Sequence, residues 1–105
     1  MTTLGIVRTL RKRSRKPEPH ALWMMAVSLI RERGYSINHT AMAFGVHRDM
    51  IPYTQRKVQD LLDTNDKYIL GAREMLQTHI IDLIPYFDEK TKKIKTYVKI
   101  DNLKL

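Results

Sequence analysis

A chain of 105 residues has room for one core, since domains cluster near ~100 to 150 residues, and its lack of cysteine removes disulfides and thiolate metal sites, zinc fingers among them. Hydrophobic residues at 43%, with only four glycines and four prolines, describe a chain that folds rather than a disordered one. The formal charge is +8, and it is unevenly placed: residues 1–17 carry +6, residues 18–87 carry −1, and residues 88–105 carry +3.

Thr2 and Thr3 can cap a short first helix with Leu4, Val7 and Leu10 on one side and Arg8 and Arg11 on another. A cationic stretch, Arg11, Lys12, Arg13, Arg15 and Lys16, then breaks it. Pro17 and Pro19 suit the first turn of a second helix, where Glu18 complements the positive helix start. That helix runs to about Arg33 and is apolar nearly all round from Ala21 to Ile30, Trp23 included, which predicts a central, buried element. Gly34 ends it. Ser36 caps a helix from Ile37 to about Phe44 that turns Ile37, Ala41 and Phe44 inward, and Gly45 stops it.

After Val46 the pattern predicts a helix to about Asp63 with Ile51, Val58, Leu61 and Leu62 on its inner face. Pro52 belongs in its first turn, which favours Asp49 over His47 as the cap. Thr64 or Asn65 opens a further helix in which Ile69, Ala72, Leu76, His79 or Ile80, and Leu83 recur until Pro85. Beyond Pro85 the period changes to alternation of Ile94, Thr96, Val98 and Ile100 against Lys93, Lys95, Tyr97 and Lys99, the pattern of a hairpin with lysines guarding one face. The fold class expected is therefore mainly α, a helical bundle with a helix-turn-helix and a small C-terminal β-hairpin. Residues 1–16 form a basic N-terminal arm, 17–85 the helical domain and 86–105 a basic tail or hairpin.

The helix-turn-helix reading rests on residues 37–54. Ala41 permits close approach of the second helix, Gly45 makes the turn four residues later, and Phe44, Val46 and Ile51 pin the pair. A recognition helix needs hydrogen-bonding side chains on its outer face; His47, Arg48, Tyr53, Thr54, Arg56 and Lys57 are the candidates. Arg48 is the best placed to take a guanine through O6 and N7. Arg56 and Lys57 suit phosphates, and Arg11 to Lys16 can follow the backbone or enter the minor groove.

The stretch from Arg11 to Asp63 resembles the C-terminal DNA-binding domain (domain IV) of the bacterial replication initiator DnaA, within the Trp-repressor-like superfamily of helix-turn-helix folds. The residues that carry the likeness are Arg13-Ser14-Arg15-Lys16, then Ala26-Val27-Ser28-Leu29-Ile30-Arg31-Glu32, then Ser36, Ala43-Phe44-Gly45, Arg48-Asp49-Met50 and Arg56-Lys57-Val58. They correspond in order to the family's basic loop, its "A-x-x-L-x-R-E" helix, its "S-x-x-x-I-A-x-x-F-G" segment, and its "R-D-H-T-T-V" and "R-K-I" motifs. Met50, Ile51 and Pro52 stand where the family has a histidine and two threonines, Trp23 where it usually has an arginine, and the stretch to Arg56 is shorter. The resemblance thus implies the fold and the mode of docking, but not the initiator's recognition sequence.

Other chemistries fare worse. Gly5, Gly34, Gly45 and Gly71 cannot form a phosphate-binding loop. The histidines show no metal-ligand spacing, and no nucleophile stands in a recognisable turn beside a paired acid. No apolar run reaches the ~18 residues of a membrane span, and no hydrophobic segment follows the basic N-terminus. The expectation is a non-enzymatic, cofactor-free, cytoplasmic protein that binds double-stranded DNA at the nucleoid, with no membrane or small-molecule substrate. A regulatory or replication-accessory role on a phage or mobile element suits it. The alternative is a protein-interaction module, or a homodimer seamed by the helix from Asn65 to Ile84, with the basic arm incidental.

Overall fold

A computed structural model describes the backbone of residues 2–12 and 14–103, and the side chains among them up to residue 89. Five α-helices are present among the described residues: α1 (Thr3–Arg11), α2 (Pro17–Glu32), α3 (Ile37–Phe44), α4 (Met50–Asp63) and α5 (Lys67–Leu103). The protein is mainly α. Helix α2 is the hub and packs against all four others. Its ten residues from Ala21 to Ile30 are all buried, as expected of a helix whose apolar residues leave no polar stripe.

Local chemistry explains most of the boundaries. Thr2 Oγ1 accepts the Gly5 N–H at 3.1 Å and Ser36 Oγ accepts the His39 N–H at 3.1 Å, so each satisfies an otherwise orphaned donor at a helix start. Helix α3 closes in a Schellman turn: Gly45 is left-handed at φ +66, and the Val46 N–H reaches the Ala41 carbonyl at 3.0 Å. Helix α4 closes the same way through Asn65 at φ +56, with the Asp66 N–H on the Leu61 carbonyl at 2.9 Å. Asn65 is therefore spent on ending α4, and the next helix is capped neither by it nor by Thr64. Asp66 takes that role, its carboxylate accepting the Ile69 N–H at 3.0 Å.

Helix α1 lies against α2 and α5. It buries Ile6 completely and Val7 nearly so, while Leu4 remains 51% exposed; the expected Leu4–Val7–Leu10 stripe is rotated toward Ile6. Thr3 Oγ1 and His79 Nδ1, 3.0 Å apart, tie the start of α1 to α5. Residues 12–16 then join two docked helices.

The C-terminal hairpin does not form. Helix α5 carries Pro85 in its interior and is helical through Leu103, so no boundary falls at residues 85/86. A proline there forfeits one hydrogen bond, to the carbonyl of Ile81; Pro85 and Ile81 are both exposed, which leaves that carbonyl on the solvent side. Extending an existing helix needs no new nucleus, whereas an isolated two-stranded hairpin is marginal in water. The lysine-rich composition of 90–99 is also compatible with helix, and Ile94 and Val98 fall at i, i+4 as readily as they alternate.

Candidate nucleic-acid interface

The inner stripe of α4 runs Ile51, Thr54, Val58, at 0, 3 and 1% exposure, and continues into half-buried Leu61 and Leu62. These steps of three and four residues fix the rotation of the helix about its axis. Asp49, Tyr53, Arg56, Lys57 and Asp60 consequently face solvent. Thr54, expected among the groove-facing residues, belongs to the buried stripe. Its Oγ1 donates to the Met50 carbonyl at 2.6 Å, which satisfies the hydroxyl within the helix and removes it from the candidate contacts. The spacing itself contained this answer, since position 54 lies midway between the inward positions 51 and 58.

The entry to α4 keeps Asp49 at the expected N-cap position. Asp49 occupies the position before the helix but makes no side-chain capping bond. His47 braces the turn before the helix instead: its Nδ1 accepts the Asp49 N–H at 3.2 Å, and its carbonyl accepts the Met50 N–H at 3.0 Å. Pro52 falls in the first turn, as its missing N–H requires. His47 Nδ1 and Asp49 Oδ2 stand 3.5 Å apart on side chains 73 and 85% exposed, an ion pair only when the imidazole is protonated and one of small value at such exposure.

The charge of this surface is not neutralised internally. Arg48, Arg56 and Lys57 are exposed and have no acidic partner among the described residues. The same holds for Arg11, Lys12, Arg15 and Lys16 in and after the end of α1; Arg13 lies outside the described residues. The acids of α4 gather toward its far end, at Asp60 and Asp63, where Asp63 accepts from Gln59 at 2.9 Å. From Arg48 to Lys57 the outer face thus carries three cations against one acid, Asp49, and beyond Lys57 it carries two acids, Asp60 and Asp63.

The fold brings Arg11 to the helix-turn-helix. Leu10 and Arg11 line one groove with Phe44, Gly45 and Val46, so the cationic connector departs beside the α3–α4 turn. Composition alone could not show this, because it depends on α1 docking through Ile6.

Two side chains outside the expected set, Arg31 and Tyr35, tie α4 to its neighbours from behind. Arg31 Nη1 donates to the Tyr35 carbonyl at 2.6 Å, and its Nε approaches Gln55 Oε1 at 3.5 Å. The Tyr35 hydroxyl donates to Asp88, so α2, α4 and α5 are linked through the turn after α2. Burial, then the hydrogen bond to Asp88 and its charge, push the Tyr35 phenol up to about 12. A basic residue in the last turn of α2 was the available signal for Arg31.

Among the described residues no cluster of three His, Asp or Glu could hold a metal ion, and no helix is long and apolar enough to cross a membrane. No protein-family model matches the chain, and comparison with curated proteins and with solved structures finds no match.

Proposed function

We propose that the protein binds double-stranded DNA, with the outer face of α4 in the major groove and the connector Arg11–Lys16 on the adjoining backbone or in the minor groove. The observation that carries this reading is the set of exposed cations Arg48, Arg56 and Lys57, with no ion-pair partner among the described residues and with Asp49 the one acid on that stretch, behind a Gly45 turn beside which the basic connector leaves α1. Internal ion pairs would have to be broken before such cations could meet phosphates; here they stand ready. Tyr53, 54% exposed, adds a large amphipathic contact on the same face. The likeness to the DnaA DNA-binding domain supports the same docking, with a recognition sequence of its own. The biological role that fits is a regulator or a replication accessory.

Selection from a mixed-sequence duplex pool at several salt concentrations tests the reading. The expected result is an enriched motif together with affinity that falls steeply with salt. Replacing Arg8, Arg11, Lys12, Arg13, Arg15 and Lys16 by alanine should weaken binding to every sequence and flatten the log–log salt slope by up to ~5, at about 0.9 for each phosphate no longer neutralised. Absence of duplex binding at low salt refutes the proposal, and capture of a protein that survives nuclease treatment would then favour an interaction module.

A further inference from the structure

Helix α5 runs past the α3–α4 turn. Phe87 packs against Phe44, the last residue of α3, with ring centroids 4.9 Å apart. Tyr86, Phe87 and Glu89 line the same groove as Arg11, Gly45 and Val46, and Asp88 takes the Tyr35 hydroxyl. From that point the backbone stays helical through Leu103. At ~1.5 Å per residue α5 is about 55 Å long, near the molecule's longest dimension of 51 Å, so it runs the whole length of the protein.

Residues 90–100 hold five lysines, Lys90, Lys92, Lys93, Lys95 and Lys99, and no acid. In a strand they would guard an exposed edge; a helix has no such edge, and that explanation lapses. Helical spacing offers Asp88 to Lys92 and Glu89 to Lys93 as partners. For Lys90, Lys95 and Lys99 the only charges three or four residues away are other lysines. Like charges at those spacings weaken a helix, so a polyanion laid alongside would stabilise it. The helix also bounds their reach: Lys99 stands about 15 Å past Glu89 along the axis, which keeps all five positions close to the Gly45 turn and the departing connector. We propose that α5 beyond Glu89 is a further cationic contact to the duplex, its lysines meeting phosphates next to those taken by Arg11–Lys16. This inference rests on the docking of α4 on DNA. Lysine is a point charge on a flexible stem, so the segment adds affinity and no base preference.

The full chain is titrated against a duplex selected from the mixed pool, by fluorescence anisotropy at several salt concentrations. Beside it stands a variant carrying Lys90→Gln, Lys92→Gln, Lys93→Gln, Lys95→Gln and Lys99→Gln. Glutamine keeps the helix propensity of lysine, and circular dichroism verifies the fold. The expected result is a log–log salt slope flatter by ~2 to 4, at about 0.9 per phosphate, with affinity lowered for every sequence and the selected motif retained. A control, Lys67→Gln with Arg73→Gln, removes charge ~24 Å or more back along α5 and should flatten the slope by less than ~0.5. An unchanged slope in the lysine variant, while the wild type binds, overturns this inference and leaves the docking of α4 standing. Equal loss per charge removed in the control also overturns it, since bulk charge would then suffice. A lysine variant that keeps its duplex binding but loses binding to vesicles of equal parts phosphatidylserine and phosphatidylcholine assigns the segment to a lipid surface instead. No duplex binding by the wild type refutes the docking itself, and this contact with it.

Discussion

Replacement of Gly45 by alanine isolates the backbone strain at the turn that sets α3 against α4. Gly45 sits at φ +66, and a Cβ built there meets nothing within 4 Å, so the cost is conformational rather than steric. Left-handed backbone costs an ordinary residue ~1 to 2 kcal/mol, and alanine returns ~0.4 to 1 kcal/mol by restricting the unfolded chain. The net expectation is a loss of about 1 kcal/mol, or roughly 4 to 8 °C in midpoint for a domain of this size. Gly45→Asn should lose less, because asparagine visits the left-handed region more readily. Urea unfolding followed by Trp23 fluorescence and by circular dichroism supplies the measurement, and coincident transitions would license the free energies. A Gly45→Ala chain more stable than the wild type would refute the left-handed conformation. A loss above ~3 kcal/mol would refute the open space around the Cβ.

Three other predictions concern α4 and its support. Arg48→Ala should relax preference at one base pair, costing ~1 to 3 kcal/mol there; equal losses at every sequence in a quantitative selection would assign Arg48 to a phosphate instead. Ile51→Ala empties a fully buried position and should destabilise by ~2 to 5 kcal/mol in urea unfolding, while a loss under ~1 kcal/mol would mean that α4 is not anchored there. Tyr35 should ionise near its raised value of about 12, and Tyr35→Phe should delete that step from an alkaline absorbance titration. Since its folded value lies above the unfolded value of ~10, its contribution to stability is complete below pH ~10 and fades as pH rises from there through about 12. A wild-type titration with no such late step would remove the Tyr35–Asp88 interaction.

The helical half of the architecture is open to sequence reasoning wherever a local signal has no competitor. Ser36, Gly45 and the prolines of α2 mark ends that the fold keeps, because capping and proline chemistry act within one turn. The N-cap position of α4 falls at Asp49, as the placement of Pro52 requires, while only the folded turn reveals the His47 ring accepting the Asp49 N–H. Side-chain chemistry suggests an outward Thr54 although its period points inward; burial along the 51–54–58 stripe decides against it. The largest departure is the expected hairpin, where alternation over a few residues suggests strand although those residues continue a helix already nucleated at Lys67. The siting of Arg11 beside Gly45 depends on tertiary packing and leaves no trace in spacing.

The docking of α1 changes what the cationic segment is. Its two ends are held, one through Ile6 in the core and the other at the head of α2, whose residues from Ala21 to Ile30 are buried, so the chain between Arg11 and Pro17 is tied to the fold on both sides. At ~3.3 to 3.6 Å per residue the six steps from Arg11 to Pro17 reach at most about 22 Å, less than one ~34 Å turn of duplex, so in the proposed docking these charges could meet only phosphates close to the groove that α4 enters. Much of the entropy that a free tail would surrender on meeting a duplex has been surrendered already, during folding. Cutting the tie by Ile6→Asp should therefore restore the tail's long reach while sacrificing the affinity that comes from its being held in place.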